Sequence, residues 1–250
     1  MPAAIKNGTI VEGAAPPGPT DRESRARAVR EMFTAIAPRY DLLNHLLSLS
    51  VDRLWWNRTA KSFSEILFRP GARVLDLCCG TGDMTNALRK RAAPGTQIVG
   101  ADFSHAMLVR AKSKITRLKW IEADALLLPF PDAHFDLVTS AFGFRNLVDY
   151  NAGLREIWRV LRPGGMLGIL DCSEPKGALG TMYRIYFKHV LPKIGTLISG
   201  VQGAYQYLPD SVERFPKPDE MLKRIRAAGF VQASWQPYTL GIAGLYKVQK

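Results

Sequence analysis

Cysteine is scarce: the 250-residue chain has three, at positions 78, 79 and 172, and no CxxC pair. An odd count at this spacing argues against a disulfide framework and against a zinc site, so no metal is expected. Cys78 and Cys79 adjoin in an apolar strand-like run. This predicts side chains on opposite faces of a sheet, small buried hydrophobes in a reducing compartment. No run reaches the roughly 18 apolar residues needed to span a bilayer. The N-terminus has no basic stretch followed by an apolar one, so no secretory leader is expected. The expected location is the cytoplasm, with peripheral attachment to the inner face of the membrane left open. Acids are in deficit too. Against 34 Lys and Arg stand 22 Asp and Glu, a net charge of +12. The excess concentrates late, since residues 176–250 hold 11 Lys or Arg and 4 Asp or Glu. Such a region suits nucleic acid, anionic lipid, an acidic substrate or plain solvent.

What is present is an ordinary globular composition, 47% hydrophobic and 22% charged, long enough for one α/β domain or two small ones. Residues 1–19, rich in Pro, Gly and Ala, read as an unstructured tail. Thr20 with Glu23 forms a capping box for a helix to about Ala37, stopped by Pro38. Residues 41–50 and 51–67 continue as helical turns up to the Arg69-Pro70-Gly71 break. Strand-like runs at 73–78, 96–102, 119–124, 135–142 and 166–172 then alternate with helical patterns near 83–92, 104–115 and 151–161. That alternation predicts βαβ units and a parallel sheet, a Rossmann-like α/β fold. Beyond residue 175 follow an amphipathic helix (about 179–198), a helix near 218–228 and two closing strands. We divide a single domain, 20–250, into N-terminal helices (20–70), a cofactor-binding core (71–175), a helical lid insertion (176–217) and a closing helix with strands (218–250).

The sharpest motif is Asp76-Leu-Cys-Cys-Gly80-Thr81-Gly82-Asp83, between a strand and a helix. Glycines there let backbone approach a ligand at the carboxyl ends of parallel strands. Asp102 ends the second strand, 20 residues after Gly82, where an acid can accept both ribose hydroxyls. Asp124-Ala125 ends the third, where a carboxylate and an N–H can bracket an adenine edge. Three strand ends in register point to a nucleoside ligand. A dinucleotide is disfavoured because Thr85 stands where GxGxxG needs its third glycine, and Asp83 puts negative charge where a pyrophosphate would sit. A cationic ligand bearing an amino acid fits instead, with Asp76 holding the loop or the ligand's ammonium. The expected cofactor is S-adenosyl-L-methionine.

The segments Phe33-Thr-Ala-Ile-Ala-Pro-Arg-Tyr-Asp-Leu-Leu-Asn44, LDLCCGTGDM, ADFSHAML, DALLLPFPDAHFD, AFGFRN, RVLRPGG, HVLPKIG and AYQYLPDSVERFP run through the chain. In them the sequence resembles the C-methyltransferases of menaquinone and ubiquinone biosynthesis, from about residue 32 to 245. The glycine loop and RVLRPGG are common to many methyltransferases; AFGFRN, HVLPKIG and AYQYLPDS are much more specific. The resemblance implies a class I S-adenosylmethionine-dependent methyltransferase fold. It also implies cofactor contacts at Thr81, Asp102, Asp124 and Ala125, with Met107 inside a shared segment. Ala141 stands where the family can hold serine, leaving only a backbone contact. Leu170-Asp-Cys-Ser-Glu-Pro175 replaces Leu-Glu-Phe-Ser-Lys-Pro, and Gly244-Leu245-Tyr246 replaces Ala-Leu-His.

Methylating a ring carbon requires an electron-rich ring, which a hydroquinone supplies when a hydroxyl gives up its proton. Positioning and preorganised charge lower such a barrier. Arg145 is the expected oxyanion stabiliser, an ion pair with Asp149 being its structural alternative. Asn146 would orient the second oxygen, and Tyr205 or Tyr207 would hydrogen-bond or stack on the ring. No general base is assigned, Asp171 and His189 being conceivable. The 179–198 helix would line a channel for an isoprenoid tail and turn its cations toward lipid headgroups, an interface that Trp55-Trp56 can share if they are not core. The expected partners are a prenylated quinol and a membrane surface, with homodimerisation left open. No nucleic-acid partner is expected, since neither an Asn/Asp-Pro-Pro-aromatic tetrapeptide nor Pro-Cys occurs; a methyltransferase for another small lipophilic acceptor and a non-catalytic S-adenosylmethionine-binding protein stay open as alternatives.

Overall fold

The computed structural model describes residues 5–6, 9–10, 13–41, 48, 50–175, 180 and 204–250. Helix α1 (Arg22–Ile36) leads through a 3₁₀ turn, Ala37–Arg39, toward α2 (Asp52–Ser62) and α3 (Ser64–Leu67). The alternating core follows: β1 (Arg73–Leu77), α4 (Asp83–Arg89), β2 (Gln97–Asp102), α5 (His105–Lys114), β3 (Lys119–Glu122), β4 (Phe135–Ala141), α6 (Tyr150–Val160) and β5 (Leu161–Cys172). Helices α7 (Ala204–Arg214) and α8 (Pro218–Ala227) and strands β6 (Gln232–Tyr238) and β7 (Ala243–Gln249) complete the described chain.

These seven strands form one sheet in the order β3-β2-β1-β4-β5-β7-β6, with β7 alone antiparallel to its neighbours. Within the tail expected to lack structure, Ile5–Lys6 pairs antiparallel with Thr9–Ile10 as a separate two-stranded sheet. The order reverses between β1 and β4, and ligands of open α/β sheets bind at such a switch point, beyond the carboxyl ends. Both faces are covered, so the central strands are largely apolar, with the buried polar residues Asp76, Thr139 and Ser140 near the site. Leu75 and Val138 pack toward Leu154, Ile157 and Ile225, whereas Val74 and Leu137 pack toward Trp55, Phe63 and Leu88.

Several details differ from expectation. The cap of α1 is Asp21, not Thr20: its carboxylate accepts from Ser24 N at 2.9 Å and from Ser24 Oγ at 2.6 Å. Strand β1 stops at Leu77 because Cys78 adopts left-handed backbone (φ 53°), so the two cysteines do not alternate across a strand. Strand β5 begins at Leu161, which pairs with Phe135 before a bulge in which Gly164 is left-handed. In the stretch expected to lack structure, Ala14 is buried and its N–H donates to Leu147 O at 2.7 Å. Trp55 and Trp56 are core side chains, each 8% exposed, and do not form an interface. The 179–198 helix and His189 lie outside the described residues, apart from Gly180. No helix among the described residues is long and apolar enough to cross a membrane.

Candidate active site

The loop after β1 is held by two buried acids. Asp76 accepts from the hydroxyls of Thr85 on α4 and Thr139 on β4, joining three elements across the switch point. Both its oxygens are engaged inside the fold, so of its two expected roles it fills loop-holding. Burial pushes its carboxyl up to about 7, against the pull of those hydrogen bonds. Asp102, at the end of β2, accepts from Gly80 N at 2.8 Å and Ser104 N at 2.9 Å. Burial raises it to about 6, again opposed by its donors. Each carboxylate oxygen keeps a second lone pair, enough for two further hydroxyls.

Gly80 and Gly82 are left-handed (φ 53° and 87°). A Cβ at Gly82 would sit 2.7 Å from the Trp120 ring, so the second glycine serves both backbone conformation and the packing of β3 against the loop.

A cluster absent from our sequence reading closes this loop from outside. Lys114 Nζ, at the end of α5, lies 2.9 Å from Asp41 Oδ2, 2.8 Å from Asp83 Oδ1 and 3.2 Å from Thr81 Oγ1. Thr81 Oγ1 in turn donates to Asp41 Oδ1. Lys114 thus offsets part of the charge expected at Asp83; two carboxylates and one ammonium leave one negative charge at the loop. No sequence signal marked Lys114, which stands 31 residues from Asp83.

Beside the loop opens a cleft at the carboxyl ends of the strands. Gly80, Asp102, Met107, Asp124, Ala125 and Ala141 line it, so six of the nine residues expected at a cofactor share one wall. Asp76 and Thr81 border an adjoining smaller pocket together with Tyr40 and Phe142. Asp124 caps its own turn, accepting from Leu126 N at 2.9 Å. The rest of the wall is apolar or aromatic: Phe33, Tyr40, Cys78, Phe103, Phe142 and Leu147. Phe33, Tyr40 and Phe103 stack edge-on, so α1 and the turn after it roof the cleft. Acids at successive strand ends beside an apolar flank suit a cationic nucleoside with a lipophilic acceptor next to it.

On the acceptor side the structure redistributes the expected roles. Arg145 is 6% exposed and does not line the cleft. Its guanidinium bonds Asp171 Oδ1 at 2.8 Å, Phe142 O and Ser211 Oγ, while its N–H reaches Asp171 Oδ2 at 3.1 Å. Its ion-pair partner is therefore Asp171 rather than Asp149, which caps α6 by accepting from Ala152 N. Asn146, in the 3₁₀ turn Phe144–Asn146, does line the cleft, and its buried Oδ1 has no partner among the described residues. Tyr207 is buried with Ala14, Val29 and Val148, outside the cleft wall. Burial pushes its phenol up to about 12. Tyr205 is on α7, and its side chain lies outside the described residues. The thiols are held neutral: burial raises Cys78 and Cys79 well above the ordinary range, helped by the charge of Asp102, and burial raises Cys172 to about 11.

Comparison with known proteins agrees with this geometry. The ubiE/COQ5 methyltransferase family model matches residues 20–250. A demethylmenaquinone methyltransferase of Deinococcus radiodurans is 49% identical over 231 residues, covering 90% of this chain and 94% of that protein. A ubiquinone/menaquinone biosynthesis C-methyltransferase of Geobacter sulfurreducens is 42% identical, covering 90% of each. Among solved structures, an S-adenosylmethionine-dependent methyltransferase of Thermotoga maritima superposes with a TM-score of 0.64 at 18% identity, covering 88% of this chain and 99% of that one. The cyclase SpnF superposes with a TM-score of 0.67, also at 18% identity, over 96% and 98% of the two chains. At such identity these structures speak for the fold alone, and the cyclase shows that the fold is not tied to one reaction.

Proposed function

The chain belongs to the ubiE/COQ5 methyltransferase family, and from that membership we propose that it moves a methyl group from S-adenosylmethionine to a ring carbon of a prenylated quinol, demethylmenaquinol being the acceptor to try first. The single observation that carries the proposal is the cleft itself, where acids at strand ends face an aromatic wall beside the unpartnered carbonyl of Asn146.

S-adenosylmethionine, when bound, supplies an electrophilic methyl on a cationic sulfur. Asp102 would hold the ribose hydroxyls with the lone pairs left by Gly80 and Ser104. Asp124, Ala125 and Met107 would take the adenine, and Gly80 with Thr81 would bring backbone close to the amino-acid end. Phe33, Phe103 and Phe142 keep water from the reacting carbon, which strengthens every charge interaction inside. Asn146 Oδ1 would accept a hydrogen bond from a ring hydroxyl, which orients that hydroxyl and polarises its O–H bond so that electron density shifts toward the ring. Arg145, tied to Asp171, acts as a positioning residue: it anchors the turn that presents Asn146. Residues 176–217 are the segment we assign as lid.

The test incubates purified protein with S-adenosylmethionine, reductant and either demethylmenaquinol or a demethoxy-type benzoquinol, reading S-adenosylhomocysteine release together with product mass. Gain of one methyl on carbon supports the assignment and selects the ring. Cofactor binding with no methylation of either acceptor would sink it.

A further inference from the structure

Two leucines project into water on one side of the molecule, and the elements that carry them touch. Leu54 on α2 is 67% exposed, and Leu240, at the tip of the 3₁₀ turn Thr239–Gly241, is 80% exposed. Trp55 Nε1 donates to Thr239 Oγ1 at 2.8 Å, and the Arg58 guanidinium stacks 4.3 Å above the Tyr238 ring. Helix α2 and the turn are thereby fixed side by side. The turn is also costly: Thr239 and Leu240 are both left-handed (φ 46° and 57°), a region that β-branched and bulky residues avoid.

Cations flank Leu54 on α2. Leu54, Arg58 and Lys61 follow at i, i+4 and i+7, one stripe of α2, with Arg53 alongside. The exposed side chains of α2 are Arg53, Leu54, Asn57, Arg58 and Lys61, so the face carries three cations and no acid.

Its location gives the face a purpose. Cys172 of β5 pairs with Ala243 of β7, so the turn sits at the carboxyl edge of the sheet, the edge that holds the cleft. Trp55, beneath Leu54, packs 5.8 Å from Phe142, a cleft-wall residue. We propose that Leu54 and Leu240, with Arg53, Arg58 and Lys61 beside Leu54, form a docking rim for an anionic lipid surface, placing the cleft mouth against the layer from which a lipophilic acceptor is drawn. The leucines enter the acyl boundary while the cations meet lipid phosphates. The proposal rests on the functional assignment above, and it names the surface that serves that site.

The experiment sediments the full chain with vesicles of phosphatidylcholine alone, or with about 30 mol% phosphatidylglycerol. We expect binding to the anionic vesicles only, weakening with salt. Leu54→Ser with Leu240→Asn should lower the partition coefficient about tenfold. Asparagine suits the left-handed backbone, so this variant keeps its fold. Arg53→Gln with Lys61→Gln should lower binding about tenfold and flatten the salt dependence. Methylation of an acceptor embedded in vesicles should fall in parallel, while methylation of a short-chain acceptor in solution stays unchanged. Vesicle binding unaltered by the leucine changes would overturn the proposal. So would lipid-free self-association that the same changes abolish, which would assign the face to a second copy. Failure of the unaltered protein to methylate the soluble acceptor counts instead against the functional assignment.

Discussion

Asp102 uses one lone pair of each oxygen to hold Gly80 and Ser104, and it also lines the cleft. Asp102→Ala removes the proposed ribose acceptor and unties the glycine loop. Two hydrogen bonds to a charged group, at about 1.5–3 kcal/mol each, correspond to a loss of cofactor affinity of at least about 100-fold, measurable by calorimetry. Because Asp102 is raised to about 6 in the free protein, and a cationic ligand favours its charged form, affinity should fall as pH drops through about 6. A flat profile between pH 5 and 7.5 would count against its role. Arg145 yields a different expectation. Arg145→Ala strands Asp171 as a buried charge and should cost about 3–5 kcal/mol of stability. The double variant Arg145→Met/Asp171→Leu should recover much of that loss in denaturant unfolding. If Arg145→Ala leaves stability untouched while removing turnover, the arginine stabilises an oxyanion after all. Sequence alone could not choose between those roles, because the deciding partner is 26 residues away, on β5.

At the scale of elements, Lys114 joins α5 to both the glycine loop and the turn after α1. It is about a third exposed, and each exposed ion pair contributes modestly, about 0.2–1 kcal/mol. Lys114→Met should therefore raise KM for S-adenosylmethionine about two- to tenfold and speed S-adenosylhomocysteine release, with kcat preserved. Equal losses in kcat and kcat/KM would give Lys114 a different role. Gly82→Ala probes the loop from inside: with φ 87° and Trp120 2.7 Å from the new Cβ, it should cost about 1–3 kcal/mol and weaken cofactor binding. The order of strands and helices from residue 73 onward was legible because each element carries its own period, and glycines and acids punctuate the strand ends. Boundaries set by tertiary contacts were not. The early start of β5 depends on pairing with Phe135, and the end of β1 on a left-handed cysteine. The cap of α1 turned on two adjacent residues that both suit the position. The acids of the cleft could be found from strand-end register, whereas Asn146 as its polar acceptor came only through the family segment AFGFRN.

For the whole molecule, two buried carboxyls raised from 3.8 tie stability to pH. Asp76, at about 7, and Asp102, at about 6, hold more protons in the folded than in the unfolded chain across that window. Their contribution is fully present below about pH 3.8 and is lost as pH rises through 6 and 7. Unfolding followed from pH 5 to 8 should show this falling component, and Asp76→Asn should flatten it. A slope unchanged by that substitution would remove Asp76 as its source. The cofactor should reverse the trend, since it stabilises only the folded state and binds more tightly at the higher pH.

The neutral cysteines bear on chemical self-protection. Quinols and quinones interconvert readily, and a thiolate, unlike a thiol, adds quickly to a quinone ring. Cys78 lines the cleft, where burial and the nearby acids hold its thiol protonated. An enzyme working on such a substrate would otherwise be arylated at its own active site whenever the acceptor oxidised in place. Burial of Cys78, reinforced by the charge of Asp102, would thus shield the site from its cargo.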